Sequence, residues 1–257
     1  MNEEDTIRDN LGRYRQFITR YGLLDPDLPL HPEASDDLPE WTPQNMQDRW
    51  DGKSWPMTAE TMIGLRRMIN LESCLDGVRL DKVPGDFAEC GVWRGGASIF
   101  AALYFQEWAV DKHVWAFDSY EGLPEGSYPR DENSRWHEWN NVFAVDLERV
   151  SHNFQAYHIP ENAYSLRKGW FHDSLPKWIK AEGRPLSVLR VDADMYEGTY
   201  DSLYYLYPYV SSGGMVIIDD YNLMNACKDA VDQFRSESSI EDKIIEVDHT
   251  AIVWRKS

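Results

Sequence analysis

From Gly85 to its end the chain alternates short β-branched or aromatic runs with helix-length stretches, and this alternation leaves few folds open. Strands separated by helices pair in parallel, and the crossover helices cover the faces of the sheet. Strands are expected at Asp86 to Cys90, Val114 to Asp118, Ala163 to Lys168, Leu186 to Asp192, Gly214 to Asp219, Ile244 to Asp248 and Ala251 to Trp254. Helices are expected between them at Gly96 to Trp108, Leu147 to Tyr157, Asp173 to Ala181, Thr199 to Tyr207 and Ala226 to Glu237. Only His249 and Thr250 separate the last two runs, too few for a crossover, so that pair is a hairpin and one of its strands is reversed. The expected fold class is α/β: a doubly wound, Rossmann-like seven-stranded sheet with the last strand pair a hairpin.

Residues 1–56 have a different texture. One helix is expected over Asp5 to Tyr21, followed by the Pro-rich connection "DPDLPLHPEASDDLPEWTP". This reads as an N-terminal helical arm or lid, with residues 57–257 forming the main domain.

Composition removes several function classes. The chain has 257 residues, 42% of them hydrophobic, which suits a globular core. Its longest apolar stretch, "IFAALYF", is far shorter than the roughly 18 to 20 residues of a membrane helix. The start "MNEEDTIRDN" has no signal-peptide pattern, so a cytoplasmic location is expected. Three widely spaced cysteines suggest neither a disulfide framework nor a zinc site. A formal charge of −18 excludes a phosphate-backbone surface, which needs clustered Lys and Arg. Eleven Trp and fourteen Tyr offer flat faces to ligands, although core filling accounts for most of them.

Open α/β sheets bind ligands beyond the carboxyl ends of their strands. Glu89, Asp118, Asp192 and Asp219 each end an expected strand, so the fold gathers them on one edge. In "DFAECGVWRGGAS" a strand runs into Gly91, Gly95 and Gly96 and then a helix, which suits a close backbone approach to a ligand. Its acid, Glu89, would repel a pyrophosphate but suits a cation such as an ammonium. Asp118, twenty-two residues beyond Gly96, has two acceptor oxygens that match a ribose diol; the competing reading is a turn cap. In "RKGWFHDSLP", Trp170 or Phe171 can face an adenine ring, while Asp173 caps a helix or joins the site. Asp192 with Asp194, and Asp219 with Asp220, form two carboxylate pairs whose oxygens select a hard cation such as Mg²⁺. The competing reading has Asp194 and Asp220 paired with Arg190 or Lys228. The histidines show no metal-ligand spacing.

The motifs "TMIG", "AECGVWRGGAS", "FDSYEGLP", "GWFHDSLP", "LRVDADMYEGT" and "GGMVIIDDYN" follow one another in that order. In this the chain resembles class I S-adenosylmethionine-dependent methyltransferases, specifically the macrocin O-methyltransferase family, from about Thr61 to the end. The resemblance implies a cofactor site made by Thr61, Met62, Glu89, Gly91, Trp93, Gly95, Asp118, Ser119, Gly169, Trp170, Phe171, Asp173 and Asp192. It implies Mg²⁺ held by Asp192, Asp219 and Asp220, and a hydroxyl of a deoxysugar on a macrolide or other antibiotic as acceptor. It also implies a small-molecule glycoside as the only partner besides further copies of the chain in a dimer or tetramer. Metal-dependent catechol methyltransferases have a similar layout, with Asn in place of Asp220 and Lys where this chain has Met195; a carboxylate must then serve as base. Asp192 is assigned to the metal and Asp194 to the base, the alternative being that Asp192 does both. Methylation of a catechol, cofactor binding without catalysis, and nicotinamide-dependent dehydrogenation are the competing functions, the last disfavoured by the glycine spacing.

Overall fold

The computed structural model describes residues 2–27, 43–126, 131 and 136–257, so most of the Pro-rich connection lies outside the described residues. Helix α1 (Glu3–Thr19) starts at a capping box in which Asn2 and Asp5 satisfy each other's backbone N–H groups. It is followed by α2 (Pro43–Asp51) and α3 (Gly64–Leu80). Then come β1 (Asp86–Cys90), α4 (Gly96–Glu107), β2 (Val114–Asp118), the short α5 (Asn140–Phe143), α6 (Leu147–Ala156) and β3 (Tyr164–Lys168). The chain continues through α7 (Phe171–Ala181), β4 (Leu186–Val191), α8 (Tyr196–Leu206), β5 (Val210–Ile218), α9 (Asn225–Glu237), β6 (Ile245–Glu246) and β7 (Ile252–Arg255).

The strands form one sheet in the order β3-β2-β1-β4-β5-β7-β6, with β7 antiparallel to both its neighbours. This is the doubly wound sheet ending in a hairpin that the alternation dictates. Side chains alternate between its faces as the period of two requires. Phe87, Val114, Ala116 and Val188 join a core with residues of α1, α3, α4 and α6, while Ala88, Trp115, Phe117 and Leu189 join a second core with residues of α7, α8 and α9.

Several elements depart from the sequence reading, among them α2 and the short α5, neither of which is expected there. α3 is not among the expected helices, although its buried Met68, Leu71, Leu75 and Val78 recur at helical spacing. Arg67 and Glu72 are buried on the same helix and blur the division into polar and apolar faces. β6 has two residues instead of the five expected, because Asp248 leaves the strand. Its Oδ1 accepts the backbone N–H groups of Thr250 at 2.9 Å and Ala251 at 2.8 Å, an Asx-type turn. α1 buries Leu11 and Ile18 completely within the first core, together with residues of α3 and α4.

Candidate active site

The strand order reverses between β1 and β4, and the chain leaves their carboxyl ends toward opposite faces of the sheet, into α4 and α8, which leaves a crevice. A cavity of about 680 Å³ lies there. The backbone at this point admits only glycine. Gly91 has a φ of +84°, and a Cβ on it would stand 1.8 Å from the carbonyl oxygen of Asp192. Thus the chain just past β1 runs in close contact with the chain just past the neighbouring β4, and Glu89 and Asp192 share one wall.

Thr61, Met62, Glu89, Gly91, Trp93, Asp118, Ser119, Trp170, Phe171, Asp192, Asp194, Asp219 and Asp220 all line this cavity. Sequence positions spread over 160 residues (61 to 220) thus meet in one space. Gly95, Gly169 and Asp173 are not on its wall. Gly95 is the left-handed N-cap of α4, and its missing side chain faces Phe154 and Val150 of α6. Gly169 donates its N–H to the Asp118 carbonyl at 2.9 Å and so ties the ends of β3 and β2 together. Asp173 is exposed on the first turn of α7 beside His172.

Asp118 Oδ2 accepts the Val92 N–H at 2.8 Å and Oδ1 that of Tyr120 at 2.8 Å. The Ser119 hydroxyl also reaches Oδ1, at 3.5 Å, so the turn-capping role coexists with a place on the cavity wall. Burial raises the pKa of this carboxyl, against the pull of those N–H groups. Trp93 is held at a φ of +47° with its indole N–H on the Val142 carbonyl and the Arg94 guanidinium over its ring.

The four-aspartate cluster is organised around a fully buried arginine. Arg190 lies on β4 two residues before Asp192, which follows the strand's last residue, and the two side chains meet. Its Nη1 donates to Glu89 Oε1 at 2.5 Å and to Asp192 Oδ2 at 2.9 Å, and its Nη2 donates to Asp219 Oδ1 at 2.5 Å. Arg67, from α3, holds the other oxygen of Asp219. The acids thus have countercharges, but not in the pairs considered from sequence. Arg190 pairs with Asp192 and Asp219, not with Asp194 or Asp220, and Lys228 pairs with Asp232.

Ligand oxygens of Asp192, Asp219 and Asp220 lie within 4.8 Å of one another. Asp220 is buried, its carboxyl faces those of Asp192 and Asp194, and its Oδ2 has no hydrogen-bond partner. Burial, reinforced by the neighbouring Asp194 and Asp192, pushes its pKa well up. Asp194 sits at a φ of +55°, a left-handed conformation that Asp tolerates, so the turn keeps its carboxyl in the cavity instead of swinging it away. Burial and then Asp192 push its pKa up to about 7. Burial pushes Glu89 up to about 7 as well, against Arg190 and the Ser98 hydroxyl. Asp194, Asp220 and Glu89, each held toward its protonated form, thus share one cavity wall with Asp192 and Asp219.

Sequence reasoning missed Arg67, the central role of Arg190, and Asp248. It also missed His172, whose ring lies with the carboxylates of Glu197 and Asp201 within 4.8 Å at the cavity wall. The i, i+4 spacing of the two acids on α8 was the available signal.

Residues 14–256 match the macrocin-O-methyltransferase (TylF) family. The chain belongs to that family. The match begins well before Thr61, within the segment the motifs left unassigned. The tetracenomycin rhamnosyl 4'-O-methyltransferase of Streptomyces olivaceus is 43% identical over 237 residues, covering 91% of this chain and 87% of that protein. The demethyldecarbamoylnovobiocin O-methyltransferase of Streptomyces niveus is 42% identical, covering 81% of this chain and 80% of that protein. The structure of the O-methyltransferase NovP superposes with a TM-score of 0.87 at 36% identity, covering 98% of this chain and 99% of that one. This family member is thus an O-methyltransferase that depends on S-adenosylmethionine; a further relative, the mycinamicin III 3''-O-methyltransferase of Micromonospora griseorubida, is 40% identical, covering 81% of this chain and 83% of that protein. Among the described residues, no helix is long and apolar enough to cross a membrane.

Proposed function

We propose that the protein transfers a methyl group from S-adenosylmethionine to a hydroxyl of a deoxysugar on a glycosylated natural product, with Mg²⁺ held by Asp192, Asp219 and Asp220. The observation that carries this reading is the orphaned, buried Oδ2 of Asp220 beside two more carboxylates within 4.8 Å, on the wall of the cavity that also holds Glu89 and Asp118. The donor set is all oxygen, which fits a hard cation. Arg67 and Arg190 leave one lone pair free on each oxygen of Asp219, so their bonds do not block it as a ligand.

The chain's residues divide the work. Glu89 receives the ammonium of the cofactor's methionine part, Asp118 its ribose hydroxyls, and Trp170 or Phe171 the adenine. The cofactor supplies an electrophilic methyl group on sulfur. A Mg²⁺ ion, when bound, acts as a Lewis acid that makes a weakly acidic sugar hydroxyl ionisable near neutral pH. Asp194 accepts the hydroxyl proton, and Met195, buried where a catechol enzyme has Lys, contributes no base. Of residues 1–56, Gly52, Lys53 and Trp55 line the cavity and support a covering role for that end of the arm, while α1 packs into the core of the transferase domain of residues 57–257. The same arm is the element we assign to subunit contacts in a homo-oligomer.

The deciding experiment is methyl transfer onto a panel of deoxysugar-bearing antibiotics and simple catechols, with and without EDTA. Turnover on a glycoside that stops in chelator and returns with Mg²⁺ is expected. Full activity in EDTA would overturn the metal's role, and turnover restricted to catechols would overturn the acceptor class.

A further inference from the structure

Asp248 and Arg67 have no part in the reaction as described, yet they are among the most rigidly held polar groups beside it. Asp248 has a fully buried side chain in the turn between β6 and β7, far in sequence from every acid of the site. Its Oδ1 is fixed by the N–H groups of Thr250 and Ala251, and by the Thr250 hydroxyl at 3.3 Å. Its Oδ2 accepts Nε of Arg67 at 2.7 Å, and Nη1 of the same guanidinium donates to Asp219 Oδ2. One planar fork therefore joins a locked turn carboxylate to a proposed metal ligand.

We propose that Asp248, acting through Arg67, is a positioning residue for the cation site: the pair sets the rotamer of Asp219 and directs its remaining lone pairs at the ion. The proposal rests on the Mg²⁺ reading of the aspartate trio. The physics is that of a hydrogen-bonded carboxylate ligand. Asp219 is gripped from opposite sides, by Arg190 of its neighbouring strand on Oδ1 and by Arg67 of α3 on Oδ2, so its plane cannot rotate. Arg190 is anchored by Glu89 and Asp192, both inside the site. Arg67 is anchored by Asp248, which brings the β6–β7 turn into the construction. Partners of this kind typically change metal affinity by about 10- to 100-fold.

A through-space charge effect predicts something different, and substitution separates the two. Arg67→Lys keeps the positive charge but loses the fork, because one ammonium on a flexible stem does not reproduce two fixed N–H directions. Mn²⁺ affinity of the full-length protein, followed by electron paramagnetic resonance, is expected to fall at least about 10-fold in Arg67→Lys. Affinity for S-adenosylhomocysteine, by calorimetry, should stay within about 3-fold, since the cofactor acids keep Arg190. Asp248→Asn turns a donor toward Arg67 and should give the same pattern. The double variant should be no weaker for Mn²⁺ than the weaker single, because both act through one fork.

Unchanged Mn²⁺ affinity in Arg67→Lys, additive losses in the double variant, or an equal loss of S-adenosylhomocysteine affinity would each overturn the proposal. Should Asp248→Asn fail to fold, Arg67→Lys alone decides. Parent protein that binds no Mn²⁺ would instead remove the metal reading itself, a separate failure visible before any variant is made.

Discussion

Arg190 Nη2 donates to Asp219 Oδ1 at 2.5 Å between two nearly fully buried side chains, one on β4 and the other just past the end of the adjacent β5. Its other nitrogen reaches Glu89 and Asp192, so a single guanidinium stands between the acid assigned to the cofactor's ammonium and those assigned to the cation. Without it, Glu89 and Asp192 would lose the arginine they share, and Asp219 one of its two. Breaking such a buried pair from one side costs about 3–5 kcal/mol, so substitutions here must be read with stability measured alongside affinity.

Asp219→Asn removes one anion that two arginines share. Mn²⁺ affinity should fall more than about 10-fold, while affinity for S-adenosylhomocysteine stays within about 3-fold, because the cofactor acids are untouched. Calorimetry with each ligand checks this, together with a thermal melt to confirm folding. A matched loss of both would mean that the substitution had disrupted the crevice as a whole.

Asp118→Ala takes away the assigned ribose acceptor and also releases the N–H groups of Val92 and Tyr120. A hydrogen bond to a charged group contributes about 1.5–3 kcal/mol, so the cofactor dissociation constant should rise roughly 10- to 100-fold. An unchanged constant would take Asp118 out of the site.

Asp194→Asn should lower turnover by about 100-fold or more, the usual scale of a lost general base, with cofactor and cation affinities retained. If turnover is unchanged, or falls only as far as the cation is lost, Asp194 is not the base and Asp192 serves in its place.

Asp201 provides a pH test outside the aspartate cluster. Burial and then Glu197 push its pKa up to about 6 in the folded chain, with His172 opposing. Its protonated form is thus favoured by folding, so the stability it contributes is present below its ordinary pKa near 4 and lost as pH rises through about 6. Asp201→Asn should therefore melt higher than the parent at pH 7, with the difference shrinking toward pH 4. A difference in melting temperature that is constant between pH 4 and pH 7 would contradict this sign.

Much of this protein follows from local chemistry that the sequence alone determines. The alternation of β-branched runs with helical stretches dictates a parallel sheet, and the two-residue gap at His249 and Thr250 dictates its reversed strand. Since ligands gather at the carboxyl ends of such strands, Glu89, Asp118, Asp192 and Asp219 could be named as one site before any coordinates. Strand periodicity even places Arg190 on the face of Asp192. Only the tertiary structure decided which charges neutralise which. Arg67 lies on a helix whose buried Arg and Glu hide its amphipathic pattern, and Asp248 lies in a turn that reads as strand. Arg67 reaches across 152 residues to Asp219 and 181 to Asp248, a meeting made by packing and not by any local propensity. The same holds for the orphaned oxygen of Asp220 and the left-handed turn at Asp194. A sequence states which groups can carry charge and where strands end, but the burial and pairing that set their chemistry depend on what the rest of the chain brings against them.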